Sequence, residues 1–140
     1  MNGWPSANMF RRHLRTWIGF AIIALGWPLF YGCAHRPFEN WSQADTAREL
    51  TWTALHAVDW GQTLDISDHP ERFYEINPCL GEHPSRGKVN RYFALGTIAH
   101  PLISGALSPK YRVWWQYVSI GISGGVVIHN HFHAGIRMGW

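Results

Sequence analysis

Residues 44–66 read ADTARELTWTALHAVDWGQTLDI, and the fold assignment starts from this stretch. Ser42 precedes it as a candidate N-cap, and Asp45 in the first turn opposes the helix dipole. Side chains recur at the i, i+3, i+4 and i+7 spacings of an α-helix, namely at Leu50, Ala54, Ala57, Val58, Gly61, Leu64 and Asp65. Charged residues interrupt this helix, so it is a poor bilayer span. We expect a surface or interfacial helix, or one packed on polar partners.

Two apolar runs follow an irregular connector. Residues 67–88 hold the connector, in which Pro70, Pro78 and Pro84 remove backbone donors. The pair Ser108-Pro109 separates the two apolar runs. The sequence therefore predicts an all-α protein: an N-terminal anchor or signal helix, plus a small bundle of about three helices with a Pro/Gly-rich connector. Within it, residues 91–129 are predicted to form an apolar hairpin.

The N-terminal segment predicts export or anchoring. Three arginines precede the apolar run WIGFAIIALGWPLFYGC at residues 17–33, the pattern of an export signal or an N-terminal anchor. Gly32 before Cys33 resembles a lipoprotein signal, in which Cys33 would be lipidated; an uncleaved anchor with an incidental cysteine is the alternative. We predict two parts, residues 1–33 and a helical domain of residues 34–140. Either alternative places the chain after Cys33 on the periplasmic side of a bacterial envelope.

The number of membrane crossings stays open. In one architecture the N-terminal segment and both apolar runs cross the membrane. In the other a lipid-anchored bundle uses the two runs as a buried hairpin. Each run is at the lower limit of the roughly 20 residues that a span needs.

The charges are segregated along the chain. Only 15% of residues are charged, against roughly 25% in an ordinary soluble domain. All nine acids lie within residues 39–82, and six Lys or Arg follow with no further acid. The basic residues lie at the ends of apolar segments, which favours membrane lipid as a partner and argues against nucleic acid. The small residues of the segment Gly121 to Gly125 predict self-association or contact with envelope proteins.

Two polar sets are candidate sites. Asp59, Gln62 and Thr63 share a helix face, and Glu75 and Asn77 in the connector are their predicted hydrogen-bond partners. A structural polar network is the preferred interpretation. The alternative is acid–base chemistry between the two carboxylates.

A histidine cluster ends the second apolar run. His129, His131 and His133 alternate, and with His100 or Glu75 they are a candidate site for a divalent metal such as zinc. The alternative is a polar helix end without a cofactor. The sequence contains no GxSxG, phosphate loop or CxxC, so no catalytic residue is assigned.

Three segments carry a resemblance to known proteins: ADTARELTWTALHAVDWGQT, EINPCLGEHPSRGKVNRYF and WQYVSIGISGGVVIHNH. In these the chain resembles uncharacterised small helical membrane proteins or lipoproteins of Gram-negative bacteria and phages. More loosely, it is similar to small multi-helix membrane proteins of unknown function. The resemblance covers residues 44–133 and implies no established activity.

These observations predict a small membrane-anchored envelope protein with a structural or interaction role. They favour a protein that is not an enzyme. A membrane-associated metal-dependent hydrolase is the first alternative. It would use His100, His129 and His131 with Glu75 or Asp59. A phage-encoded accessory acting on the host envelope is the second alternative.

Overall fold

The computed structural model describes residues 36–132 and 134–139. The predicted anchor or signal at residues 1–33, with Cys33, and also His133 lie outside the described residues. Three helices make up the rest: α1 (Gln43–Asp68), α2 (Arg86–Ala106) and α3 (Pro109–Phe132). The described residues contain no strand. The predicted all-α fold with three helices after the N-terminal segment is therefore confirmed.

Helix α1 begins with a capping box. The Ser42 hydroxyl accepts from the Asp45 backbone N–H at 3.1 Å, and the Asp45 carboxylate accepts from the Ser42 N–H at 2.8 Å. The reciprocal bonds satisfy two backbone donors that the first turn leaves without a helical partner. The predicted N-cap at Ser42 is confirmed, and the helix extends to Asp68.

The side of α1 that packs on the other helices is largely polar. Its residues follow one another at alternating intervals of four and three, which places them along one side of the helix: Asp45, Glu49, Trp52, His56, Asp59 and Thr63. Several residues that define the helical spacing in the sequence face outwards and do not pack on the other helices. Leu50 is 64% exposed, and Ala54 and Ala57 are also exposed. Of the two alternatives for this helix, the structure shows the one in which it packs on polar partners.

The connector joins α1 to α2 through local hydrogen bonds. Lys88 Nζ donates to the Leu80 carbonyl at 2.6 Å, and the Glu75 N–H donates to the Glu82 carbonyl at 2.8 Å. Gly81 has a φ of +78°, the left-handed region that glycine adopts without strain. Ser85 then caps α2, so this helix starts earlier than the apolar run predicted.

Helices α2 and α3 both pack more extensively on α1 than on each other. Their outer faces carry large exposed apolar side chains, namely Ile98, Leu102, Trp114, Tyr117, Ile128 and Phe132. This exposure differs from the alternative in which the two apolar runs form a buried hairpin. Of the three helices described, none combines the length and hydropathy that a membrane span requires.

The apolar core is small and lies at one end of the bundle, where Leu64, Leu80, Val89 and Phe93 form a cluster that Trp60 covers. The opposite end is held by a buried arginine. Arg112 is 0% exposed. Its guanidinium donates to four main-chain carbonyls, those of Glu39, Asn40, Ser104 and Leu107. One side chain thus ties the α2–α3 turn to the segment that enters α1.

We predict that Arg112→Met destabilises the fold by about 3 kcal/mol or more, because it removes the guanidinium donor from the buried carbonyls of Ser104 and Leu107. Urea unfolding of the full chain, followed by circular dichroism, measures the change. Arg91→Met is the control, since Arg91 is exposed and, among the described residues, its side chain bonds within its own helix, to the Gly87 carbonyl. We expect the control to change stability by less than about 0.5 kcal/mol. Equal stabilities for the two variants would show that Arg112 does not hold the α2–α3 turn to the segment that enters α1.

Candidate functional site

A cleft opens between α2 and α3, with α1 as its floor. It has a volume of about 1010 Å³, at the upper end of ordinary ligand pockets. Its walls are mainly apolar and include Leu95, Ile103, Val118, Ile122 and Val126. Its floor carries polar and aromatic side chains, including Trp52, His56, Asp59, Thr63, His100 and Trp115. The arrangement combines an apolar channel with a few fixed polar groups, which is typical of a small-molecule site.

The carboxylate of Glu49 organises this floor. It accepts from the Ser104 hydroxyl at 2.9 Å and from Gln116 Nε2 at 3.0 Å, and it lies 2.5 Å from His100 Nδ1. Arg48 Nε donates to the Gln116 carbonyl oxygen at 2.8 Å, which fixes the orientation of that amide. Glu49 on α1 is therefore joined to side chains of both α2 and α3.

The bond to Glu49 fixes the tautomer of His100. A carboxylate accepts hydrogen bonds, so Nδ1 carries the proton. Burial lowers the pKa of His100, although the hydrogen bond to Glu49 and its charge act in the opposite direction. The neutral ring then has a lone pair on Nε2. Within residues 36–132 and 134–139, this Nε2 and Trp115 Nε1 are buried without a hydrogen-bond partner.

Four rings stack across the floor. The centroids of His56 and Trp52 are 4.5 Å apart, those of Trp52 and His100 are 3.6 Å apart, and those of His100 and Trp115 are 5.1 Å apart. His56 Nε2 lies 3.1 Å from the Phe93 carbonyl oxygen, and burial lowers the pKa of His56. The stack includes side chains of all three helices, which holds the rings of the floor in fixed positions.

Asp59 has a perturbed acidity. Burial, together with the charge of Glu75, raises the pKa of Asp59 to about 7. Asp59, Thr63, Glu75 and Asn77 all line the cleft. The Glu75 carboxylate accepts from the Asn77 N–H at 2.8 Å, within the connector. Four of the five residues of the predicted polar network thus lie along one cavity.

The fifth residue, Gln62, turns towards α3. Its Nε2 donates to the Val127 carbonyl at 3.2 Å, and its Oε1 accepts from Asn130 Nδ2 at 3.2 Å. The hydrogen bonds of Gln62 therefore fasten α1 to α3 rather than to the connector. Its partners could not be predicted, because they depend on which helix packs against this side of α1.

The predicted metal ligands are dispersed. His100 and His129 line the cleft, whereas His131 is exposed and lies edge-on to the neighbouring Phe132 ring. Among the described residues, no three of His, Cys, Asp and Glu are placed to hold a metal ion. His133 lies outside this part of the chain, so the four-histidine site stays a prediction.

The small residues of α3 divide between two sides of the helix. A Cβ added at Gly124 would lie 3.8 Å from Leu55 of α1, whereas one at Gly121 or Gly125 would meet nothing within 4 Å. Gly121 and Gly125 leave open space on α3. Self-association through the segment from Gly121 to Gly125 stays a prediction.

Six residues were not predicted from the sequence: Trp52, His56 and Trp115 of the floor, and Glu49 beneath it with its partners Ser104 and Gln116. Glu49, Trp52 and His56 carry a signal, because they belong to the alternating four-and-three spacing along α1. Ser104 and Gln116 lie in apolar segments, where a buried polar residue indicates an internal partner. A search for polar residues at packing positions would have found this set.

We predict that the ionisation of Asp59 makes the fold less stable as pH rises. The folded pKa of about 7 exceeds the ordinary value of 3.8, so the folded state retains a proton that the unfolded chain loses. The contribution is fully present below about pH 4 and is lost as the pH rises to about 7. Asp59→Asn removes this dependence of the free energy of unfolding on pH. At pH 8 we expect the variant to raise the free energy of unfolding by roughly 1–3 kcal/mol.

Urea unfolding at a series of pH values between 4 and 8 measures the effect of Asp59→Asn. Glu71→Gln, which removes an exposed carboxylate of the connector, is the control. A pH dependence for Asp59→Asn that matches the unmodified chain would show that Asp59 does not titrate in this range.

The chain matches no protein-family model, no curated protein and no solved structure.

Proposed function

We propose that this protein is a small envelope protein that works at a membrane by holding the apolar chain of a membrane lipid in the cleft between α2 and α3. The observation that carries the proposal is the inverted polarity of the bundle. Arg112, Gln116 and Ser104 are buried against α1, whereas large apolar side chains of the same two helices face outwards. Polar contacts between helices and apolar outer faces are typical of helices that meet lipid.

The cleft walls supply the binding energy. Leu95 is 67% exposed and Ile122 is 64% exposed, although both line the cleft. Covering the exposed two thirds of a side chain of this size contributes about 1–2 kcal/mol. An acyl chain between the walls would cover several such side chains at once, which supports a lipid chain as the occupant.

The charge distribution supports an anionic membrane as the source of that chain. No acid follows Glu82 in the sequence. Arg112 is buried and bonded within the protein. Lys110, close to it at the α2–α3 turn, is exposed, and Arg91 is exposed near the other end of the hairpin. Basic side chains near an anionic membrane surface contribute about 1 kcal/mol each.

A metal-dependent hydrolase is the second candidate. Four of its predicted residues line the same cleft, namely His100, His129, Glu75 and Asp59. Stoichiometric zinc in the purified full chain, together with loss of thermal stability in chelator, would favour this candidate over simple lipid binding.

We predict that Ile122→Asp weakens the binding of an acyl chain at least tenfold, because it places a charge in an apolar wall of the cleft. Leu50→Asp is a matched control. Leu50 is as exposed as Ile122, at 64%, but lies on α1 away from the cleft. We expect Leu50→Asp to bind as the unmodified chain does.

The measurement is a fluorescence titration of the full chain, held in an amphipathic polymer, with a phosphatidylglycerol that carries an environment-sensitive dye on one acyl chain. Equal loss of binding in both variants would show that the dye reports general adsorption to apolar surface. Unchanged binding in Ile122→Asp would contradict the proposed function.

A further inference from the structure

We propose that the bundle docks on an anionic membrane through the end that carries the α2–α3 turn. The docking face, which we call the turn surface, consists of the exposed side chains of Lys110, Tyr111, Trp114 and Tyr117. The inference rests on the proposed function, because it takes a membrane as the partner. It adds which part of the protein meets the lipid headgroups, and therefore how the bundle is oriented.

Three side chains of the turn surface are aromatic and amphipathic. Tyr111, Trp114 and Tyr117 are all exposed, and they lie within the first three turns of α3. Tyr and Trp concentrate at membrane–water interfaces, where the ring meets the acyl boundary and the O–H or N–H meets water. The Arg48 guanidinium lies 5.4 Å from the centroid of the Tyr117 ring, which holds this ring in place at the surface.

The charges at this end favour an anionic surface. Lys110 is exposed in the turn, and Arg36 is exposed on the segment that enters α1. Glu39 is an exposed acid of the same segment, and its carboxylate accepts from the Arg36 backbone N–H at 3.3 Å. Helices α2 and α3 contain no acid. The opposite end of the bundle exposes acids as well as bases, and these acids are Asp68, Glu71 and Glu82. Anionic headgroups are therefore attracted most at the turn.

The chain enters the described structure at this same end. The Phe38 N–H donates to the Gly105 carbonyl at 2.7 Å, and Arg112 bonds to the carbonyls of the next two residues. In the sequence, only two positions separate Arg36 from the predicted anchor at residues 17–33. If that run enters a bilayer, the turn surface belongs to the end of the bundle that is nearest to the headgroups along the chain.

Fluorescence quenching on the full chain tests the inference. A cysteine-reactive NBD dye is attached either at Ala106→Cys, in the last turn of α2, or at the native Cys79 in the connector, at the opposite end of the bundle. Both positions are exposed. Cys33→Ser removes the other native thiol, and the Ala106 variant also carries Cys79→Ser.

Each labelled chain is placed in vesicles of phosphatidylglycerol and phosphatidylethanolamine, in which some lipids carry a nitroxide on the headgroup. We expect quenching at Ala106 to exceed quenching at Cys79 at least threefold, because the turn lies among the headgroups.

The other outcomes separate this inference from the proposed function. Equal quenching at the two positions, or stronger quenching at Cys79, would overturn the inference and leave the proposed function standing, because another face would then meet the membrane. No quenching at either position would overturn both. Emission at Ala106 that rises with protein concentration and is not quenched would indicate a second copy of the chain on this surface, and would overturn the inference.

Trp114→Ser tests the aromatic contact. Trp114 is 71% exposed, so the fold should persist, and we expect quenching at Ala106 to fall at least twofold. Phe132→Ser is the matched control, since Phe132 is 74% exposed on the same helix but lies at its opposite end. The control should leave the quenching unchanged. Equal effects of the two substitutions would show that the turn surface is not the face that docks.

Lys110→Glu tests the charge. We expect it to reduce quenching at Ala106 in the vesicles that contain phosphatidylglycerol, and to leave quenching unchanged in vesicles of phosphatidylcholine alone, because only the first surface is anionic. The same reduction in both kinds of vesicle would show that Lys110 does not recognise an anionic surface.

Discussion

The buried carboxylate of Glu49 holds the three helices together. Its three contacts join α1 to both of the other helices: His100 and Ser104 lie on α2, and Gln116 lies on α3. Because the apolar cluster is confined to four residues at one end, this polar junction replaces the hydrophobic core that a bundle of ordinary composition would have. The hydrogen bonds of the Glu49 carboxylate thus fix how α1 meets the other two helices.

The same junction explains the cleft. Since α2 and α3 direct their polar side chains at α1, their apolar side chains remain at the outside and in the space between them. The rings and carboxylates at this junction form the floor of the cleft, so His100 and Trp115 lie at the base of an apolar channel. The packing of the helices and the chemistry of the cleft floor therefore both follow from the polar contacts between α1 and the other two helices.

Much of the fold could be predicted from local signals. The spacing of residues 44–66, the cap at Ser42 and the prolines of the connector predicted α1 and the region that follows it. The site was harder, because a polar residue such as Glu49 in a helix is ordinarily taken for a solvated position. Its burial depends on partners 51 and 67 residues away along the chain, at His100 and Gln116. Such pairings follow from tertiary packing and not from local pattern.

Photochemical labelling tests whether α2 and α3 contact the acyl chains of a membrane. The full chain is placed in vesicles of phosphatidylglycerol and phosphatidylethanolamine that contain a lipid with a diazirine at its acyl end. Mass spectrometry then locates the labelled residues. If these two helices contact lipid, we expect labelling along their outer faces and cleft walls, at Leu95, Ile98, Val118 and Ile122. Labelling concentrated on the outward face of α1 at Leu50, with none on the hairpin, would contradict it.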